Sequence, residues 1–345
     1  MTRWAAGLAA ILLLAACASP NVPPPVATTA APTTLGRLPG REGDPYIGPV
    51  EVKAEPIPLD PADPKHVQLG NFRYAGGVHL WSDQTLFLRG FSDLKVHPDG
   101  TFLAQSDVAY QFEGKVLLDR QGRLIGISLS RILPLKDEKG QRLFPQGQEE
   151  WDSEGVAELP NGDRVSTFEH HDRALLYPKD GGPPHPIPFP PGKYAVNESF
   201  EAVMADPSVA PDAYRVGVEP TGKTWLCRVS TTCTPGPDIN LEGLELVGFE
   251  RTPDGRMAVL LRRFINERNV VRVVILDKAW TKVDEVEISA PLTTENFEGI
   301  GVVPGKDGAL RIYIICDDNF GIFADKPTDQ KTLMMAFDWS PPKEH

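Results

Sequence analysis

Ser153-Glu154-Gly155-Val156-Ala157-Glu158-Leu159-Pro160-Asn161-Gly162-Asp163-Arg164-Val165-Ser166-Thr167-Phe168-Glu169 is the phrase on which the fold turns. It opens on an acid, runs through a short apolar strand, turns at Pro-Asn-Gly and returns through a second strand that closes on another acid. Pro and Gly between two β-rich runs of strand length signal a hairpin. The phrase recurs on both sides of this copy. Ser92-Asp93-Leu94 passes through Pro98-Asp99-Gly100 to Ser106-Asp107, and Phe200-Glu201-Ala202 passes through Asp206-Pro207 to Val218-Glu219. Leu241-Glu242-Gly243 leads through Pro253-Asp254-Gly255 to Leu261-Arg262, and Phe297-Glu298-Gly299 leads through Pro304-Gly305 to Cys316-Asp317-Asp318-Asn319.

Most hairpins are followed by further strand-like runs, among them residues 115–118, 124–132, 174–177, 270–276, 283–288 and 331–339. A unit of about four strands repeating every roughly 40 to 60 residues predicts a propeller blade. Long amphipathic helical windows are missing, which excludes doubly wound and TIM-type folds. The expected fold is therefore an all-β propeller with five visible repeats and five or six blades, in which residues 78–81 complete the last sheet. A β-sandwich is the competing architecture, since short strands with turn signals recur there too.

In a hairpin, the first residue of one strand and the last of its partner share an end. Stacked around a ring, the repeats therefore bring two sets to one channel mouth. Asp93, Glu154, Glu201, Glu242 and Glu298 form one, and Asp107, Glu169, Glu219, Arg262 and Asp317 form the other, with Asp318 beside it. So many carboxylates need cations, arginines or bound protons to share a confined site. A hard cation such as calcium, which takes several oxygen ligands, is the expected cofactor, because His and Cys spacings for zinc are missing. Arg262 and Arg263 are the alternative counter-charges. The same acids can instead cap turns or accept backbone amides.

Other motifs weigh less. His170-His171-Asp172 reads as a polar loop, because neighbouring strand residues point to opposite faces. There is no Gly-x-Ser-x-Gly elbow and no Gly-rich phosphate loop. The Pro-rich run at 184–191 reads as a stiff connection between outer strands. Cys227 and Cys233 have a spacing that can close a small hairpin disulfide, while Cys316 sits in an apolar run and reads as a buried small hydrophobe.

The N-terminus reads as an export signal. Arg3 gives a positive start and residues 5–14 an apolar run too short to span a bilayer. Leu14-Ala15-Ala16-Cys17 resembles the bacterial lipobox, which implies cleavage after residue 16 and lipidation of Cys17. The expected division is a signal at 1–16, a lipidated Pro-rich tether at 17–65 and the repeat domain at 66–345. The localisation implied is a lipid-anchored protein of the cell envelope, at the outer membrane and facing the periplasm. The whole chain carries a formal charge of -12. That charge argues against nucleic acid as a partner and leaves membrane contact to the acyl chains.

Ser153-Glu154-Gly155-Val156, Asn197-Glu198-Ser199-Phe200-Glu201-Ala202, Asn296-Phe297-Glu298-Gly299-Ile300 and Asp317-Asp318-Asn319-Phe320 resemble motifs of the phytase-like domain family, also called the esterase-like activity of phytase family. The resemblance implies a propeller, export and a loose link to phosphoester or ester hydrolysis. Phe91-Ser92-Asp93-Leu94, Ala202 and Leu261-Arg262-Arg263 depart from that pattern. The sequence reading is thus a metal-dependent hydrolase of a small anionic ester or phosphoester. Glu154, Glu201, Glu298 and Asp317 are its expected cation ligands, Glu169, Glu242 or Asp318 its base, and Arg262 its charge stabiliser. The alternative is a non-catalytic, envelope-tethered propeller that binds a protein, peptide or sugar.

Overall fold

The computed structural model describes residues 49–192, 194–195, 199–266, 268–319 and 330–342. The export signal, Cys17 and its lipidation, Asn197, Glu198 and Phe320 lie outside the described residues.

Five antiparallel sheets make five blades. Blade 1 runs Phe91–Val96, Thr101–Ser106, Tyr110–Leu118 and Leu124–Pro134. Blade 2 runs Ser153–Glu158, Arg164–Phe168, Arg173–Tyr177 and His185–Pro186, so the Pro-rich run supplies its outermost strand. Blade 3 runs Ala202–Ala205, Ala213–Gly217, Thr224–Arg228 and Cys233–Pro235, with Cys227 and Cys233 disulfide-bonded directly across its outer pair. Blade 4 runs Glu245–Arg251, Met257–Ile265, Arg268–Leu276 and Lys282–Ile288. Blade 5 combines Asn296–Pro304, Leu310–Asp317 and Leu333–Trp339 with Phe72–Trp81 from the start of the domain, so the two ends of the chain share one sheet and latch the ring.

The latch reaches further back than the sequence suggests. Lys53–Pro56, assigned above to the tether, pairs with Phe72–Trp81, and Leu59 is fully buried. The Pro-rich composition concealed a strand because an edge strand tolerates Pro.

Inner strands are buried almost throughout, whereas the outer strand of blade 1 alternates buried and exposed residues. That gradient is what a radial stack of sheets requires, since each inner strand packs against the inner strands on both sides. Glycines make the close approach. A Cβ on Gly155 would meet Val203 Cγ2 at 2.3 Å, and one on Gly299 would meet Ile315 Cγ2 at 2.7 Å.

Candidate active site

One irregularity, repeated around the ring, builds the mouth. Register breaks between Phe91 and Asp93, Ser153 and Val156, Leu246 and Gly248, and Phe297 and Gly299. Blade 3 follows suit, with Ala202 opposite Gly217 while the Glu219 amide bonds the Ser199 carbonyl at 2.9 Å. A bulge re-aims the residue it displaces. The displaced residues are Ser92, Glu154, Glu201, Val247 and Glu298; beside them stand Asp107, Glu169, Glu219 and Asp317, at or just past the ends of the second strands, and Arg262, within the strand that runs on to Ile265.

Two residues of the sequence alignment are thereby corrected. Asp93 lies one position past the bulge, and a one-residue step in a strand changes the face. Its carboxylate turns away, accepting from the Leu94 and Val156 amides at 2.7 and 2.8 Å and from Lys95 Nζ at 3.1 Å. Glu242 precedes the strand of blade 4 in a left-handed turn (φ 48°) and is exposed. Arg272 and Lys282 each reach it at 2.8 Å, and they hold its carboxyl below the ordinary range. The Glu-Gly pair served as the marker, but in blade 4 it marks a loop and Val247-Gly248 is the bulge. Arg263 also faces outward, to the Gly243 carbonyl at 2.8 Å, since it alternates with the inward Arg262.

The mouth has two electrostatically distinct halves. In the first, Asp152, Glu154 and Glu169 are buried with their carboxylate oxygens within 4.8 Å of one another. His170 Nε2 lies 2.9 Å from Asp152 Oδ2, Gln148 donates to the same oxygen at 3.0 Å, and the Ser199 amide donates to Glu169 at 2.8 Å. Among the described residues no hydrogen bond or ion pair engages the carboxylate of Glu154 or of its neighbour Glu201. Burial, then the surrounding carboxylates, push Glu154 and Glu201 well above the ordinary range. Asp107 Oδ1 is likewise buried without a partner, and burial and Asp317 push its carboxyl up as well.

The second half supplies its own counter-charge. Arg262 Nη2 stands 3.1 Å from Glu298 and 3.6 Å from Glu219, and Asn296 Nδ2 bridges Glu298 at 2.9 Å and Asp317 at 3.1 Å. Burial pushes Glu298 up to about 8, against the pull of Arg262. Burial, and then Asp318, push Asp317 up to about 7. Asp318 itself accepts from the Gly90 amide and Thr332 Oγ1, both at 3.1 Å, and so ties blade 5 to the entrance of blade 1. A cavity of about 1010 Å³ opens beside this half, floored by Arg262, Asn296, Glu298 and Asp317.

Of the residues singled out from sequence, the structure brings together Glu154, Glu169, Glu201, Arg262, Glu298 and Asp317. Asp318 lies just behind them and Glu242 outside. Asp152, His170 and Asn296 were missed. Asp152 was within reach, because it sits two residues before Glu154 and so on the same face, whereas His170 comes round only through a left-handed turn at φ 56°. At the far end of the channel, Lys95 crosses the axis from blade 1 to the Val203 carbonyl at 2.8 Å and Glu250 at 3.1 Å. It also pairs with Asp93, whose carboxyl burial pushes up to about 6.

The donor set decides which group the first half suits. Three converging carboxylates, one without a partner among the described residues, fit a hard divalent cation, and the His170 imidazole touches Asp152. The second half already holds a positive charge of its own, Arg262, beside Glu298 and Glu219.

Comparison with known proteins gives a family through one match, to a family model. No curated relative matches the sequence. Among solved structures the chain is similar to a streptogramin B lyase at 15% identity, with TM-score 0.39 and coverage of 72% of this chain and 93% of that one. It is similar to a gluconolactonase-like protein at 11% identity, with TM-score 0.41 and coverage of 91% and 96%. The third is a catalytically inactive virginiamycin B lyase from Staphylococcus aureus with quinupristin, at 12% identity, TM-score 0.38 and coverage of 84% and 100%. The family model for Phytase-like, esterase-like activity of phytase, matches residues 87–320, which is the ring from blade 1 to the second strand of blade 5. The chain belongs to the phytase-like family.

Proposed function

We propose that the protein is a hydrolase of anionic esters or phosphoesters that works with a divalent cation, calcium being the best match to the donors. The observation that carries this reading is the Glu154 carboxylate, buried against Asp152 and Glu169 with no partner among the described residues, at the same mouth as a cavity floored by two acids of raised pKa. When bound, a cation there supplies polarisation of an ester oxygen and a more acidic water. The chain's own groups supply the rest. Glu298 and Asp317, at about 8 and about 7, titrate near neutrality, where a carboxyl serves as proton donor and acceptor. Asn296 holds both in place, and Arg262 offers a fixed positive charge for negative charge developing above them. The acid–base role thus moves from Glu169, Glu242 and Asp318 to the cavity floor. Export, anchoring through Cys17 and an outer-membrane location belong to the same proposal and rest on the N-terminal sequence.

The test is turnover of 4-nitrophenyl phosphate and 4-nitrophenyl acetate by the purified chain, in chelator and then in calcium. Calcium-dependent turnover that Glu154→Gln and Asp317→Asn each reduce at least about 100-fold, with melting retained, is expected. Absence of turnover on both substrates moves the assignment to the non-catalytic binding propeller.

A further inference from the structure

The cavity beside Arg262 has walls that the chemistry above does not use. Phe264, 62% exposed, stands at the tip of the long hairpin of blade 4, and Arg268 and Asn269 return down its other strand. Facing them are Thr294 and Asn319. Arg262, Thr294 and Asn319 thus add a guanidinium, a hydroxyl and an amide to the polar wall. Asn319 spends its amide nitrogen on Gln330 at 2.9 Å. Among the described residues, no side-chain bond engages Asn269 or Arg268.

A cavity wall that carries guanidinium, amide and hydroxyl groups, two of them free of side-chain bonds among the described residues, suits a ligand rich in hydrogen-bonding groups. Amides and a guanidinium each span two adjacent donors or acceptors, which is the spacing of vicinal hydroxyls. An exposed phenyl ring covers an apolar face. A sugar ring has that combination, with hydroxyls around its edge and C–H groups on one face. We propose that this cavity recognises a carbohydrate moiety, so that the ester handled at the mouth is one carried by a sugar. The inference rests on the hydrolase reading for the word ester, but not for sugar binding.

Calorimetric titration of the whole chain with methyl β-D-xylopyranoside, methyl β-D-glucopyranoside, methyl β-D-galactopyranoside and their 2-O-acetyl esters tests it, with cyclohexyl acetate as the ring without hydroxyls. At least one glycoside or its ester is expected to bind about tenfold or more tightly than cyclohexyl acetate. Phe264→Ala and Asn269→Ala are each expected to weaken that binding about fivefold to tenfold, the loss of one contact. Both sites are at the surface, and unchanged melting temperatures show that the variants are folded. Equal binding of cyclohexyl acetate, no binding across the panel, or variants that bind like the parent overturns the inference. Turnover of 4-nitrophenyl acetate separates the two readings. Hydrolysis without sugar preference removes the sugar and keeps the hydrolase, while sugar binding without hydrolysis does the reverse.

Discussion

Replacing Arg262 with Gln removes the guanidinium that faces Glu298 and Glu219. At an effective dielectric of about 20, charges 3.1 and 3.6 Å apart attract by roughly 5 kcal/mol each, and the desolvation of three partly buried ions offsets much of that. Breaking such a buried network leaves unpaired charge and costs about 3–5 kcal/mol. For a domain of this size that corresponds to a fall in melting temperature of roughly 5–10 °C. The fall must depend on pH, because the carboxylates left behind can escape by taking up protons. Melting curves at pH 8 and pH 5 in chelator therefore separate the electrostatic cost from a packing cost. The expected result is the full fall at pH 8, less than half of it at pH 5, and partial recovery with Arg262→Lys. A fall of equal size at both pH values would refute the network and leave Arg262 as a packing group.

The unsubstituted protein in chelator should lose stability as pH rises. Glu298, Asp317 and Asp93 have folded values of about 8, 7 and 6, above their ordinary 4.5, 3.8 and 3.8. The folded state thus binds more protons than the unfolded one, so the stability from these groups is complete below about pH 4 and is lost as pH passes through 6 to 8. Thermal melting from pH 5 to 8.5 shows this as a falling curve, and millimolar calcium should flatten it. Lys95→Met should cost about 3–5 kcal/mol in urea unfolding by stranding Asp93, and Asp93→Asn in the same chain should restore part of it. Gly155→Ala should cost about 1–3 kcal/mol, because its Cβ would lie 2.8 Å from the Glu201 carbonyl as well as against Val203. Since Gly155 follows Glu154, calcium affinity should fall in the same variant.

The hairpin phrase made the ring legible, because Pro and Gly punctuation and strand-length apolar runs are local properties. Closing positions were legible for the same reason: Asp107, Glu169, Glu219 and Asp317 lie at or within two residues of the ends of second strands, whereas Arg262 lies within a strand that runs on to Ile265. Opening positions were harder. A bulge adds one residue, and no residue type announces it, so Ser92 and Val247 hold the places that the acids Asp93 and Glu242 seemed to claim. The division of the mouth into a half with its own cation and an open half depends on where Arg262 reaches, from blade 4 to Glu219 at blade 3 and Glu298 on blade 5, which is a property of the closed ring. Lys95 is the clearest such case, since its partners on blades 3 and 4 lie more than 100 residues away.

The central claim is that Asp152, Glu154 and Glu169 hold a divalent cation. Its most direct test is calorimetric titration of calcium into the chelator-treated chain at pH 7, in two buffers of different ionisation enthalpy. The account predicts one ion bound with a dissociation constant of roughly 10⁻⁵ to 10⁻³ M. Protons should be released as the buried carboxyls give up theirs, and both signals should be lost in Glu154→Gln. No binding at 10 mM calcium (about ten times the weakest affinity expected), or binding unchanged by Glu154→Gln, contradicts it.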